Sequence, residues 1–124
     1  MAKAVGVGGI FLKARDAKAL SAWYATHFGI QTQYGSALVF EGPESAGTTV
    51  FTHFPVDSDY FGDGGQQFMV NFRVDDLDQL LLQLAAAGVR IDPKREDYPY
   101  GRFAWIWDPE GNRVELWQPP VEAG

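Results

Sequence analysis

Trp105-Ile106-Trp107-Asp108-Pro109-Glu110-Gly111-Asn112-Arg113-Val114-Glu115-Leu116-Trp117-Gln118-Pro119 reads as strand, tight turn, strand. The run from Phe103 to Trp107 is aromatic and β-branched, which suits a half-buried pleated surface. Asp108-Pro109-Glu110-Gly111 has the chemistry of a turn: proline presets φ, glycine permits positive φ, and aspartate bonds backbone two residues on. Arg113 to Trp117 then alternates, and Pro119 closes the strand because it cannot donate to a ladder. By strand parity Val114 and Leu116 point one way, while Arg113, Glu115 and Trp117 point the other. The first face suits a dry core under a helix. The second carries a carboxylate between a cation and an indole, as a cleft would.

Upstream of this hairpin the same kinds of element occur twice. Val7–Ala14 alternates as a strand. Asp16 can cap a helix in which Leu20, Trp23, Tyr24 and Phe28 recur at helical spacing, with Gly29 as its C-cap. Short strands are expected at Ile30–Tyr34, Ala37–Glu41 and Thr48–Phe54, broken at Gly35-Ser36 and by the loop Glu41–Gly47. Val56–Gln66 reads as a linker with Tyr60-Phe61 as its apolar tip. Gln67–Val74 is again a strand, Asp75 or Asp76 a cap, and Leu77, Leu80, Leu81 and Leu84 the buried stripe of a second helix ended by Gly88. Val89–Lys94 is a strand and Arg95–Gly101 a loop, with Tyr98 and Tyr100 able to cover a cleft. Val121–Gly124 reads as a frayed end.

Repeats of this length govern a fold. Asp16 matches Asp76 and Leu20 matches Leu80. Counting back from Pro55 and Pro119 sets Thr49, Phe51 and His53 against Arg113, Glu115 and Trp117. Counting from the caps sets Gly9 against Met69. The expectation is an α+β domain over residues 1–124. Two tandem βαβββ modules (about 5–55 and about 67–119, linker 56–66) curve mixed sheets into an open barrel-like cleft with the helices outside.

The composition narrows the function. At 124 residues the chain supports one domain with a real core. A formal charge of −6 argues against nucleic acid and anionic membranes. Cysteine is absent, so thiolate metal sites and cysteine nucleophiles are excluded. No signal peptide and no apolar stretch near ~18 residues is evident, so a cytoplasmic protein is expected. Four tryptophans and 15% aromatic residues suggest rings on a ligand surface as well as in the core. No serine lies in a nucleophile-elbow pattern.

The doubled pattern, the segment Lys13–Gly29 with its Trp-Tyr helix, Phe72-Arg73-Val74-Asp75-Asp76-Leu77, and Asp108-Pro109-Glu110-Gly111-Asn112-Arg113-Val114-Glu115-Leu116 resemble the vicinal oxygen chelate superfamily. That superfamily includes glyoxalase I, bleomycin resistance proteins and extradiol dioxygenases. The resemblance spans essentially the whole chain. It implies a fold; it does not imply one reaction. In metal-dependent members it implies ligands on the first and last strand of each module. Here those positions fall on Gly9, near Phe51, on Met69 and on Glu115, so only Glu115 offers a donor.

Glu115 is therefore a metal ligand or base, or a cleft carboxylate paired with Arg113, Arg73 or Arg102. His53 is a polar liner or, with Glu115, a weak metal pair. His27, in the last turn of its helix, is structural. Asn71 and Arg73 could orient a polar group beside an adaptable Met69 wall. Phe11, Leu38, Phe40, Phe51, Phe103, Trp105, Trp107 and Trp117 fall on the cleft face by parity. The favoured reading is a metal-independent, bleomycin-resistance-type binder of an aromatic or apolar small molecule, with no cofactor and as a homodimer. Its expected contacts are Phe11, Phe40, Phe51, His53, Met69, Asn71, Arg73, Arg102, Phe103, Trp105, Glu115 and Trp117. The alternative is a glyoxalase-like lyase, isomerase or dioxygenase using divalent Mn, Fe, Ni or Zn. A third reading is a protein whose cleft is filled and whose role is association.

Overall fold

The computed structural model describes residues 1–33, 37–40, 47–62 and 65–120. The elements are β1 (Ala4–Ala14), α1 (Ala17–Phe28), β2 (Gln31–Gln33), β3 (Ala37–Phe40), β4 (Thr49–Pro55), β5 (Phe68–Val74), α2 (Leu77–Ala86), β6 (Arg90–Tyr98), β7 (Gly101–Trp107) and β8 (Arg113–Gln118). The α+β order βαβββ thus occurs twice, as the repeat predicts. The chain forms two compact units, a first of residues 8–70 and a second of residues 1–7 with 71–124. Strands run β2-β3-β4-β1 in one module and β5-β8-β7-β6 in the other. In each module the first strand pairs parallel with the last, and the remaining pairs are antiparallel.

Local chemistry sets the ends of the elements. Asp16 Oδ1 accepts from the Ala19 amide at 3.0 Å, and Asp76 Oδ1 from the Gln79 amide at 3.1 Å. These bonds satisfy donors that a helix start leaves open. Gly29 takes φ 67°, a left-handed cap that glycine adopts without a Cβ penalty. In the β7–β8 turn Asp108 Oδ1 accepts from the amides of Glu110 and Asn112, both at 2.9 Å.

The second unit has a dry core. Leu77 and Leu81 of α2 pack with Val74, Ala104 and Leu116, and Leu80, Leu84, Ile106 and Val114 close around them. The leucine stripe and the inward parity of Val114 and Leu116 are as expected. The start of the chain is seated on this unit. The Ala2 amide donates to Gln83 Oε1 at 2.8 Å, and Gln83 Nε2 donates to the Ala2 carbonyl at 3.1 Å. Lys3 is held likewise: its amide donates to Asp75 Oδ1 at 2.8 Å and its carbonyl accepts from the Asp75 amide at 3.2 Å.

Several expectations need correction. Strand β6 does not end at Lys94. It continues through Tyr98, opposite Gly101, after a register shift between Ile91 and Arg95 that accommodates Pro93. Most of the expected Arg95–Gly101 loop is therefore strand. Phe61 is no apolar tip: it is 1% exposed, edge-on to Phe54 at 5.2 Å. On α1 the residue turned inward is Ser21, while Leu20, Trp23 and Phe28 stay 37%, 48% and 64% exposed.

The proline count slipped by one residue. In the first module Leu12 lies opposite His53; in the second, Phe72 lies opposite Leu116. His53 thus corresponds to Leu116, and Thr52 to Glu115. Pro55 is the last residue of β4, paired with Ala14, whereas Pro119 follows β8. The Gly35-Ser36 break, residues 41–46 of the first loop, Asp63-Gly64 and the Val121–Gly124 end lie outside the described residues.

Candidate functional site

Three strands of the second unit bring one row of polar side chains together. Asn71 on β5 lies opposite Glu115 on β8, which lies opposite Trp105 on β7. Side chains directly opposite on one face of a sheet are near neighbours. Here they bond. Asn71 Nδ2 donates to Glu115 Oε2 at 2.6 Å, and Trp105 Nε1 donates to Glu115 Oε1 at 3.0 Å. Asn71 and Glu115 are each 1% exposed and Trp105 is fully buried. Desolvating a carboxylate is costly unless donors replace water, and an amide and an indole do so here. Asn71 Oδ1 is left with no partner among the described residues.

The arginines expected to pair with Glu115 have other partners. Arg113 donates to Asp92 Oδ2 at 2.7 Å and lies over the rings of Trp105 and Trp107 at 5.2 and 5.4 Å. Arg102 forks onto Asp78 of α2 at 2.9 and 3.0 Å, so it projects to the helix side of β7 and not to the Glu115 face. That ion pair holds the Asp78 carboxyl down to about 2. Arg73 donates to the Val7 carbonyl at 3.2 Å.

The neighbouring row on the Glu115 face is aromatic. Phe103 lies opposite Trp117, their rings parallel within 2° at 6.1 Å. Tyr98 and Tyr100 stack at 5.1 Å, and both meet Phe103 edge-on. Trp117 Nε1 donates to the Tyr100 carbonyl at 2.9 Å. Gly101, with φ 145°, makes room for that indole: a Cβ there would lie 2.1 Å from Nε1. Asn71, Trp105, Glu115, Phe103 and Trp117 therefore share one face of the second unit's sheet, all but Phe103 buried, with Arg73 opposite Trp117.

In the first unit the expected residues divide. Phe11 is buried on the face away from α1, 5.6 Å from Phe54. Phe51 and His53 face the helix: Tyr24 meets Phe51 edge-on at 5.0 Å and stacks on His53 at 5.6 Å. By strand parity Leu38, opposite Phe51, and Phe40 share that helix side. Ser21 Oγ hydrogen-bonds His53 Nδ1 at 3.0 Å, and Nε2 has no partner among the described residues. Burial pushes the imidazole below the usual histidine range. As a cleft liner or metal ligand, His53 is thus corrected to a helix anchor. Ser21 went unnoticed in the sequence, although a polar residue three before Tyr24 on an otherwise apolar face was a signal.

A hard divalent ion requires several oxygen or nitrogen donors. The four module-equivalent positions supply few of them. A Cβ on Gly9 would lie 2.7 Å from Phe11 Cε1 and 2.9 Å from the Val50 carbonyl, so no ligating side chain fits there. Met69 offers a soft thioether, Thr52 a neutral hydroxyl, and the Glu115 oxygens already receive two N–H donors. Among the described residues no cluster of three or more His, Cys, Asp or Glu occurs. This donor set does not fit the group.

Paired βαβββ modules, each with a helix against one sheet face, define an α+β protein of internally duplicated type. The family model for the glyoxalase/bleomycin resistance protein/dioxygenase superfamily matches residues 6–116, and the chain belongs to that superfamily. Among solved structures it is similar to methylmalonyl-CoA epimerase from Mycobacterium tuberculosis, with 20% identity and TM-score 0.69 over 95% of this chain and 90% of that one. It is similar also to a Streptomyces coelicolor methylmalonyl-CoA epimerase variant in complex with 2-nitronate-propionyl-CoA, with 16% identity and TM-score 0.72 over 96% and 100%. A superfamily member from Vibrio splendidus matches with 12% identity and TM-score 0.56 over 90% and 97%. At these identities the likeness is one of fold. No curated protein matches the sequence. Among the described residues no helix is long and apolar enough to cross a membrane.

Proposed function

We propose that this protein binds a small aromatic or apolar molecule, without a metal, on the Glu115 face of its second unit. The observation that carries the reading is the occupation of both Glu115 oxygens by Asn71 Nδ2 and Trp105 Nε1. A carboxylate so bonded is a fixed polar anchor, and the adjoining Phe103–Trp117 pair supplies a ring surface. Asn71 Oδ1 supplies a further acceptor, so the reading favours a ligand with one N–H or O–H donor on a flat body. The alternative, an enzyme of glyoxalase or epimerase type with a divalent ion on Glu115, draws on the fold likeness to the epimerases. Its weakness is the shortage of donors at Gly9, Thr52 and Met69.

The deciding experiment has two parts. Elemental analysis of protein purified without chelator is expected to give far less than one equivalent of Mn, Fe, Ni or Zn. A stoichiometric metal lost in Glu115→Gln would overturn the reading. In the second part, the indole N–H signals of the four tryptophans are followed by NMR during titration with naphthalene-2-carboxamide. Saturable shifts of Trp105 and Trp117 are expected, weakened in Trp117→Ala. A homodimer belongs to the same proposal, and sedimentation equilibrium at one chain mass would remove that part.

A further inference from the structure

The two helices differ in what lies alongside them. In the second unit the flank of α2 is covered by the chain's own Ala2 and Lys3, held through their backbone groups by Gln83 and Asp75. Counted from the helix caps, the corresponding residues beside α1 are Trp23 and Arg15. There, among the described residues, the flank is a groove of about 820 Å³, lined by Lys13, Arg15, Leu20, Trp23, Tyr24 and Val56 among others. An amide and a carboxylate, suited to reading peptide N–H and C=O groups, have been exchanged for an indole and a guanidinium.

We infer that this groove is a second ligand site, for a flat aromatic group carrying a carboxylate or phosphate. Trp23 supplies the ring surface. Its indole meets Tyr24, His27 and Phe28 of the same helix, and the residue stays 48% exposed. Leu20, 37% exposed, extends the apolar wall. The charge is supplied by Arg15, which has no ion pair among the described residues, whereas Arg95, Arg102 and Arg113 each hold an aspartate. Lys13 lines the groove too, but its ammonium lies over the Phe61 ring at 5.5 Å, which leaves Arg15 as the cation for the ligand. The carboxylate lining the groove, Asp16, is committed to the Ala19 amide at the helix start. The Arg15 cation and a half-exposed indole lining one groove favour an aromatic anion over a bare hydrocarbon.

The test uses the full chain with indole-3-acetate and its neutral isostere indole-3-acetamide. The acetate is expected to shift the Trp23 indole N–H signal saturably and to bind about two- to fivefold more tightly than the acetamide, as one exposed charge contact allows. Arg15→Gln should erase that preference without weakening acetamide binding. Trp23→Gln, the residue at the corresponding place in α2, should weaken both about tenfold or more. Arg15 is exposed, so its variant tests the proposal even if Trp23→Gln folds poorly. Equal affinity for the two probes would overturn it. So would shifts confined to Trp105 and Trp117, which would leave the Glu115 reading standing. A Trp23 signal that moves with protein concentration before any probe is added would also overturn it, by assigning the groove to a second copy of the chain.

Discussion

Ser21 and His53 stand in the first unit where Leu81 and Leu116 stand in the second. The two helix-to-strand contacts have the same place in their modules and opposite chemistry. One is a hydrogen bond of 3.0 Å between buried polar groups. The other is apolar packing at the centre of a leucine core. The comparison teaches that this backbone juxtaposition accepts either solution. It also teaches that the polar one makes its helix depend on a protonation state. Around His53 lie the Ser21 hydroxyl, the Tyr24 ring and the Phe51 ring, and none of them carries the negative charge that would offset burying an imidazolium.

The sharpest way to break the comparison is to truncate both helices. Leu81→Ala should cost about 2–5 kcal/mol in urea unfolding, because it opens a cavity in a packed core. Leu20→Ala, on an exposed flank, should cost less than about 1 kcal/mol. Equal losses would mean that the flank of α1 is covered. Next in size, Ser21→Ala strands the buried His53 Nδ1 and should cost about 1–3 kcal/mol. Ser21→Leu combined with His53→Leu should recover most of that loss, since replacing both partners by apolar groups is near neutral. A double-mutant cycle with strictly additive losses would refute the pairing.

The pH dependence follows from the same site. Burial holds the folded His53 below its ordinary value of 6.5, so the unfolded chain takes up the proton first. Its contribution is complete above that value and is lost as pH falls from 6.5 towards the folded pKa. His53→Leu should flatten this part of a stability-versus-pH curve, and an unchanged slope would assign it elsewhere. The smallest effect is expected at Arg102→Ala. The Asp78 carboxyl titrates at about 2 in the fold, against an ordinary 3.8. The stability it contributes is present above the ordinary value and disappears as pH falls through about 2. Both partners are exposed, so only the acid limb of the curve should change, and added salt should blunt the difference.

What could be read in advance was local. Asp16, Asp76, Gly29 and the Asp108–Gly111 turn depend on neighbouring residues only, and each forms as its residue types dictate. The Glu115 face was legible for the same reason, since alternation from Arg113 to Trp117 fixes sides without reference to other strands. Errors arose where one strand had to be aligned on another. Pro55 is the last residue of β4 while Pro119 follows β8, and that difference of one residue turns Phe51 and His53 to the opposite side. Arg102 and Phe103 were both expected at the ligand, although adjacent strand residues point to opposite faces. The irregularity around Pro93 hid the second half of β6. The donors to Glu115 come from two other strands, so the sequence named Asn71 and Trp105 without pairing either with the carboxylate.

Gly101 has a consequence for how this hairpin can vary. Its missing side chain is a slot into which the Trp117 indole fits as a key, with the N–H engaged on the Tyr100 carbonyl. Sliding β7 by one position would bring Tyr100 or Arg102 to the slot, and either would jam against the indole. The tryptophan and the glycine thus fix the reading frame of β7 against β8, and with it the residue that Glu115 meets. Drift at position 101 should be tolerated only alongside loss of the ring at position 117.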